Sequence, residues 1–318
     1  MATSSSTNFT VSRDDIISRS LELMQVIGAG ETVNSNDTTT MSSFLNMMIK
    51  SWQAKNLLSD KRRVGYVFLS NGTVTYSLNN GSSNANATES FVTTSTSAAA
   101  TSGATTITVD SITGISTTNK IGIQMDDDTL HWTTVNGAPS GSTITLTAAI
   151  TDDVPIDARV YVYTTRINRP VKIYSINRRT YNAGLTTYSD TPLYLMAHKE
   201  YWAQPTKNND NAFVAAMYDR QRDNGYLYLW PGVDNPQSVA VITYATTVED
   251  FDASGDNPDF TQEWYLPLVY NLAAIAGPAY NVDLNHLNFI TQKAEQYLWD
   301  VVDFDSDSEN ISWDPESQ

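Results

Sequence analysis

The sequence of 318 residues contains no cysteine. Disulfide staples, iron–sulfur clusters, zinc ribbons and thiol nucleophiles are therefore excluded, and the fold must be held by packing alone. Histidine is scarce. His131, His198 and His286 fall in three separate segments, none with the His-rich or HExxH-like spacing that would mark a metal site. Positive charge is also in short supply: 19 Lys and Arg stand against 35 Asp and Glu, a formal net charge of −16. Affinity for nucleic acid rests on Lys and Arg, so sequence-specific DNA or RNA binding is not expected, while passive passage of DNA is compatible. No apolar run approaches the roughly 20 residues that span a bilayer. The opening "MATSSSTNFT" lacks the basic and apolar regions of a signal peptide, so a soluble, non-secreted chain is expected, without a membrane partner.

Catalytic signatures are missing too. There is no GxSxG elbow, no GxxxxGK[ST] loop and no GxGxxG fingerprint. Paired carboxylates for glycoside hydrolysis would need a raised pKa, and no particular Glu sits in a context that would recognisably supply it. "MDDDTLHW" sets Asp126, Asp127 and Asp128 before His131, a pattern that a polar turn between strands explains. Asp303, Asp305 and Asp307 alternate like the opening of a calcium loop, with Asp314 at its twelfth position. The sixth position, however, is Ser308 rather than glycine, and the closing glutamate is missing. The chain thus reads as a non-enzyme, with no catalytic, cofactor-binding or metal residue assigned.

What is present is a hydrophobic content of 41%, enough for a true core, and a length suited to two domains or one domain with a large insertion. "TVSRDDIISRSLELMQVIGAGE" opens with Ser12, Asp14 and Asp15 as a helix-start signal; Ile17, Leu21, Met24 and Gly28 share a face, and Gly28–Gly30 is expected to stop the helix. A second helix is expected over about 37–56, with an apolar stripe of Phe44, Leu45, Met48, Ile49 and Trp52. "RVGYVFLSNGTVTYSL" alternates apolar and polar residues on both sides of Asn71-Gly72, which predicts a β-hairpin.

Residues from about 82 to 106 are almost wholly Ser, Thr, Ala, Asn and Gly and read as a linker. The runs "TTITVDSI", "KIGIQM", "TLHWTTV", "STITLTAAI" and "RVYVYTT" then follow at the spacing of a small all-β module. "DTPLYLMAHKEYWAQP", "NAFVAAMYD", "GYLYLWPG" and "SVAVITYATT" suggest further strands joined by tight turns. Helices are expected again over about 262–276, where Pro267 fits only near the first turn, and about 284–302, where Leu287, Ile290, Ala294 and Leu298 repeat at helical spacing. The reading is α+β: a helical host domain of about four main helices plus strands over 1–83 and 166–302, an inserted barrel- or sandwich-like β-domain over 84–165, and an acidic tail over 303–318.

Charge is segregated. From Glu249 onward fifteen Asp and Glu face a single Lys293, whereas Arg166, Arg169, Lys172, Arg178 and Arg179 cluster in fourteen residues. Opposite patches of this kind suit head-to-tail contact between copies. Trp313, flanked by Ile311 and Pro315 in the acidic tail, has no local core and reads as an anchor for a neighbour's pocket.

The segments "FTVSRDDIISRSLELMQVIGAGET", "LNMMIKSWQAKNL", "DTPLYLMAHKEYWAQPTK", "YDRQRDNGYLYLWPGVD", "VEDFDASGDNPDFTQEWYLPLVYNLA" and "ENISWDPES", in this order, resemble the head-to-tail adaptor proteins of short-tailed phages (podoviruses). These head-completion, packaged-DNA stabilisation proteins are related in role to the tail tubular protein A group. Thr261 in place of a helix-starting proline, and the interruption "AGPAY", depart from that pattern. The resemblance implies a structural virion protein that forms a dodecameric ring under the portal protein, extends the DNA channel and docks a tail nozzle or fibre. It implies a location at the head–tail junction, with assembly in the host cytoplasm. Ile311, Trp313 and Pro315 would then dock on the portal, and Trp264, Tyr265 and Tyr270 would pack against the amino-terminal helices or the next subunit, with Arg166, Arg169, Arg178 and Arg179 at the subunit contact. The alternative from another class is a virion-associated glycan-binding protein or cell-wall hydrolase whose insertion holds the glycan.

Overall fold

The computed structural model describes residues 6, 8–55, 57, 62–79, 86–182, 187–207, 210–233, 237–259 and 261–306. Among these residues there are five α-helices and seventeen strands, and in all 28% is helical and 31% extended in strands or bridges. This corrects the expectation of a helical adaptor domain: the molecule is mixed and strand-rich. The reason lies in the run from residue 62 to 245, where alternating apolar residues find long-range strand partners. The chain divides into two compact units, Met1–Lys61 with Val248–Gln318, and Arg62–Thr247.

The first unit holds α1 (Arg13–Leu23), α2 (Ser35–Ala54), α4 (Tyr265–Ala276) and α5 (Leu284–Ser306). Ser12 caps α1 through a capping box in which its side chain accepts from the Asp15 N–H while the Asp15 carboxylate accepts from the Ser12 N–H. The helix ends earlier than the glycine signal suggests. Gln25 takes the left-handed conformation, φ 62°, and the N–H groups of Gln25 and Val26 bond back to Glu22 and Leu21. Glycine is the usual residue for that stop, so a glutamine gave no warning. Leu45, Met48, Ile49 and Trp52 of α2 are buried beside Ile17 and Leu21 of α1 and Leu268 and Leu272 of α4. Pro267 sits in the first turn of α4, where its missing N–H costs nothing. At "AGPAY" the chain turns so closely that a Cβ on Gly277 would lie 2.5 Å from Leu287 of α5. Asn271 then ties α4 to α5 by donating to the carbonyls of both Pro267 and Ala294.

The second unit contains a sandwich and an inserted module. One sandwich sheet has the order β11-β10-β17-β1-β3, built from β1 (Arg62–Phe68), β3 (Ala87–Thr88), β10 (Lys172–Tyr181), β11 (Tyr188–Pro192) and β17 (Ser238–Ala245). The other is β12-β14-β15-β2, from β2 (Thr75–Leu78), β12 (Tyr194–Leu195), β14 (Ala215–Arg220) and β15 (Gly225–Trp230). A short ladder of β13 (Asp210–Asn211) and β16 (Gly232–Val233) flanks them. Their shared core contains Val67, Ile173, Ile176, Ile242 and Tyr244 from one side and Leu78, Ala216, Leu227 and Leu229 from the other.

Two expectations change here. Gly72 does adopt a left-handed turn, φ +69°, but β1 and β2 do not pair as a hairpin. The turn carries the chain from one sheet to the other, where β17 and β15 supply the partners. In "HKEYWA" the expected strand is a short helix, α3 (His198–Ala203), whose Tyr201 is buried.

The inserted module places β4 (Val92–Ser95), β9 (Arg159–Tyr163), β6 (Lys120–Gln124) and β7 (Leu130–Thr134) in one sheet, with a second ladder of β5 (Thr106–Thr108) and β8 (Thr143–Thr145). All five apolar runs form strands, and part of the expected linker becomes β4, paired with β9. Gly122 lies opposite Trp132, and a Cβ there would sit 2.6 Å from the indole, so the ring lies directly across the backbone.

Candidate functional site

Trp264 is buried, and its ring stands 5.6 Å from that of Trp52 in α2. Tyr265 approaches Phe9 at 5.9 Å, and Tyr270 meets Tyr297 of α5 edge-on at 5.0 Å. These three aromatics thus pack within their own unit. Ile311, Trp313 and Pro315 lie outside the described residues.

Arg178 and Arg179 of β10 are parted by the strand period of two, whereas Arg166 and Arg169 lie in the connection before it. Arg178 turns to the sandwich core, where it donates to the Phe213 carbonyl at 3.2 Å. Its neighbour Arg179 turns to the opposite face and grips Asp190 of β11 with two bonds of 2.8 and 2.7 Å while stacking 3.7 Å over Tyr188. That bidentate grip holds the Asp190 carboxyl below its usual range. Arg169 neighbours Tyr218, and Arg166 donates to the Tyr163 hydroxyl at 3.3 Å.

The histidines are scattered. His286 contacts the Leu23 carbonyl at 2.8 Å, and His198 accepts from the Trp202 indole. Burial lowers the pKa of His131. Among the described residues, no group of three or more His, Asp or Glu is arranged to hold a metal ion.

The insertion meets the sandwich through aromatic side chains. Strand β9 reads "RVYVY": Val160 and Val162 enter the module's own aliphatic core, while Tyr161 and Tyr163 enter the junction with Phe68 and Val239 of the sandwich. Phe68 has Phe91, Trp132, Tyr161 and Tyr163 around it at 4.8–5.8 Å between ring centres. Arg159 is buried at the same place. One of its terminal nitrogens donates to the Asn182 carbonyl at 2.9 Å and the other, Nη1, has no hydrogen-bond partner among the described residues; burial lowers the pKa of the group.

Beside this junction lies a cleft of about 480 Å³. Both chain connections to the insertion line it, with Glu89, Ser90 and Phe91 on one and Tyr163, Thr164, Thr165 and Arg166 on the other. The two connections are clamped together: the Thr88 hydroxyl donates to the Thr165 carbonyl at 2.7 Å, and the Ile167 N–H to Ala87 at 3.0 Å. Tyr244, wholly buried, donates to Glu89 at 2.8 Å, and burial together with that carboxylate drives its pKa far up. Asn119 bridges the Ser116 N–H and the Thr164 hydroxyl at the cleft wall.

A second exposed feature belongs to the helical unit. Ile290 and Ala294 of α5 are buried, whereas Phe289 and Trp299 remain 51% and 68% exposed on the opposite side. Ten residues apart on a helix, the two project from neighbouring lines, with exposed Gln292 and Gln296 between them. Of the groups in the two features, only Arg166 stands out in the sequence. The available signal for Phe289 and Trp299 was that two large apolar rings fall off the Leu287–Leu298 stripe. Glu89 had no such signal. No protein-family model matches the chain, and no curated protein compared with it matches closely enough to serve as a relative.

Proposed function

We propose that this chain is a structural virion protein, a head-to-tail adaptor that forms a ring under the portal protein, extends the DNA channel and docks the tail nozzle or fibres. Its work is binding. The observation that carries the reading is the outward face of α5, where Phe289 and Trp299 stand in solvent on a helix roughly 35 Å long. Large exposed aromatics are the side chains that dominate protein interfaces, and on a chain this acidic they supply adhesion that charge does not. The net charge of −16 suits a channel wall, because each fixed cation facing DNA would add a contact to be broken as the duplex slides. Ile311, Trp313 and Pro315 would follow α5 onto the portal.

Native mass spectrometry of the chain alone and after mixing with purified portal rings tests this. A multi-copy complex on the portal is expected, and Trp299→Ala together with Phe289→Ala should reduce its yield by about tenfold while leaving the unfolding temperature unchanged. A chain that stays monomeric beside portal rings would overturn the proposal.

A further inference from the structure

We propose that the cleft at the root of the insertion binds a neutral saccharide unit. This reading stands apart from the adaptor role and does not depend on it. The volume of about 480 Å³ falls in the range of roughly 300–1,000 Å³ typical of ligand sites. Its lining offers both kinds of hydrogen-bonding group: the Glu89 carboxylate only accepts, the Arg166 guanidinium only donates, and the hydroxyls of Ser90, Thr164 and Thr165 do either. A sugar hydroxyl also donates and accepts, so a polyhydroxylated ligand can use every one of these groups.

Charge narrows the choice. An anion in the cleft would face Glu89 and a cation would face Arg166, whereas a neutral ligand leaves the two balanced. Phe91, only partly buried, adds ring surface for the apolar side of a pyranose. The two charged groups are also held in advance. Tyr244 fixes Glu89 and Tyr163 fixes Arg166, and both tyrosines are anchored in cores by burial. Groups already positioned lose little freedom when a ligand arrives.

Saturation-transfer NMR on the intact chain tests the assignment, with methyl glucoside, methyl N-acetylglucosaminide, glucuronate and methyl phosphate as probes. Transfer to at least one of the neutral glycosides is expected. Glu89→Ala and Arg166→Ala should each weaken it by about tenfold, and Arg222→Ala, at a side chain 94% exposed and away from the cleft, should leave it unchanged. Thermal unfolding shows whether each variant is folded. Thr165→Val, which removes one hydroxyl at nearly constant size, provides a milder variant expected to weaken binding by a smaller factor. Transfer to glucuronate or methyl phosphate alone would overturn the proposal in favour of an anion site. Silence from both glycosides would overturn it, as would binding that survives in both charge variants.

Discussion

The inserted module and the junction that mounts it are built from different side chains. The module's core is aliphatic: Ile107, Ile121, Ile123, Ile144, Leu146, Val160 and Val162 are all within 2% of full burial, and among the described residues no aromatic ring joins them. The junction is the reverse, with Phe68, Tyr161 and Tyr163 buried and Tyr66, Phe91, Trp132 and Tyr181 packed around them. The aliphatic core is filled from within the insertion, by its own strands β5, β6, β8 and β9. The junction must span two modules, and rings with large area and polar tips can do so while their hydroxyls reach partners beyond. The module's own core and the seam that mounts it thus draw on separate residue types of the same strand.

The largest test separates these two layers. Phe68→Ala should cost about 3–5 kcal/mol, and Ile123→Ala about 2–5 kcal/mol. Hydrogen exchange distinguishes them. Ile123→Ala should release the amides of β6 and β7, whereas Phe68→Ala should release β1 and the connections at 86–92 and 163–167 while the module's interior stays protected. If both variants open the same amides, the layers are one cooperative core and the contrast fails.

A test of smaller size but opposite sign concerns Arg159, whose buried guanidinium meets no carboxylate and leaves Nη1 without a hydrogen-bond partner among the described residues. Replacing a poorly compensated buried charge with an apolar group of similar length is commonly neutral or stabilising, by up to a few kcal/mol. Arg159→Met should therefore hold or raise the denaturant midpoint. A clear loss of stability would show that the guanidinium supports the junction through its bond to Asn182.

The smallest effect lies on the rim. Because the folded Asp190 carboxyl is depressed below its ordinary value by Arg179, the pair contributes stability above that ordinary value and loses it as pH falls through the lower folded one. The pair is partly exposed, so Asp190→Asn should cost at most about 1 kcal/mol at neutral pH, and urea titrations of variant and parent should converge in acid.

Much of the architecture could be read from local pattern. Ser12 and Asp15 mark the start of α1, and strict alternation marks the insertion strands. What stayed hidden depended on distance in sequence. The turn at Gly72 is locally identical to that of a hairpin, and only pairing with β17 and β15, more than 140 residues away, sends β1 and β2 to different sheets. The short helix α3 lacked a side-chain cap to announce it. In the candidate sites, Arg166 was visible as one of a charge cluster, but it lies in the connection before β10, away from Arg178 and Arg179, which strand alternation turns to opposite faces. Glu89 acquires its place in the cleft through Tyr244, a contact across 155 positions that no local spacing could reveal.

The double allegiance of β9 also limits how this protein can change. Successive residues of the strand answer to two masters, Val160 and Val162 to the insertion and Tyr161 and Tyr163 to the sandwich. Sliding the strand by a single position would exchange the two sets and spoil both at once. A foreign module could be grafted here only if its returning strand brought two tyrosines in the same phase, so loops elsewhere on the insertion are free to diversify while this seam is not.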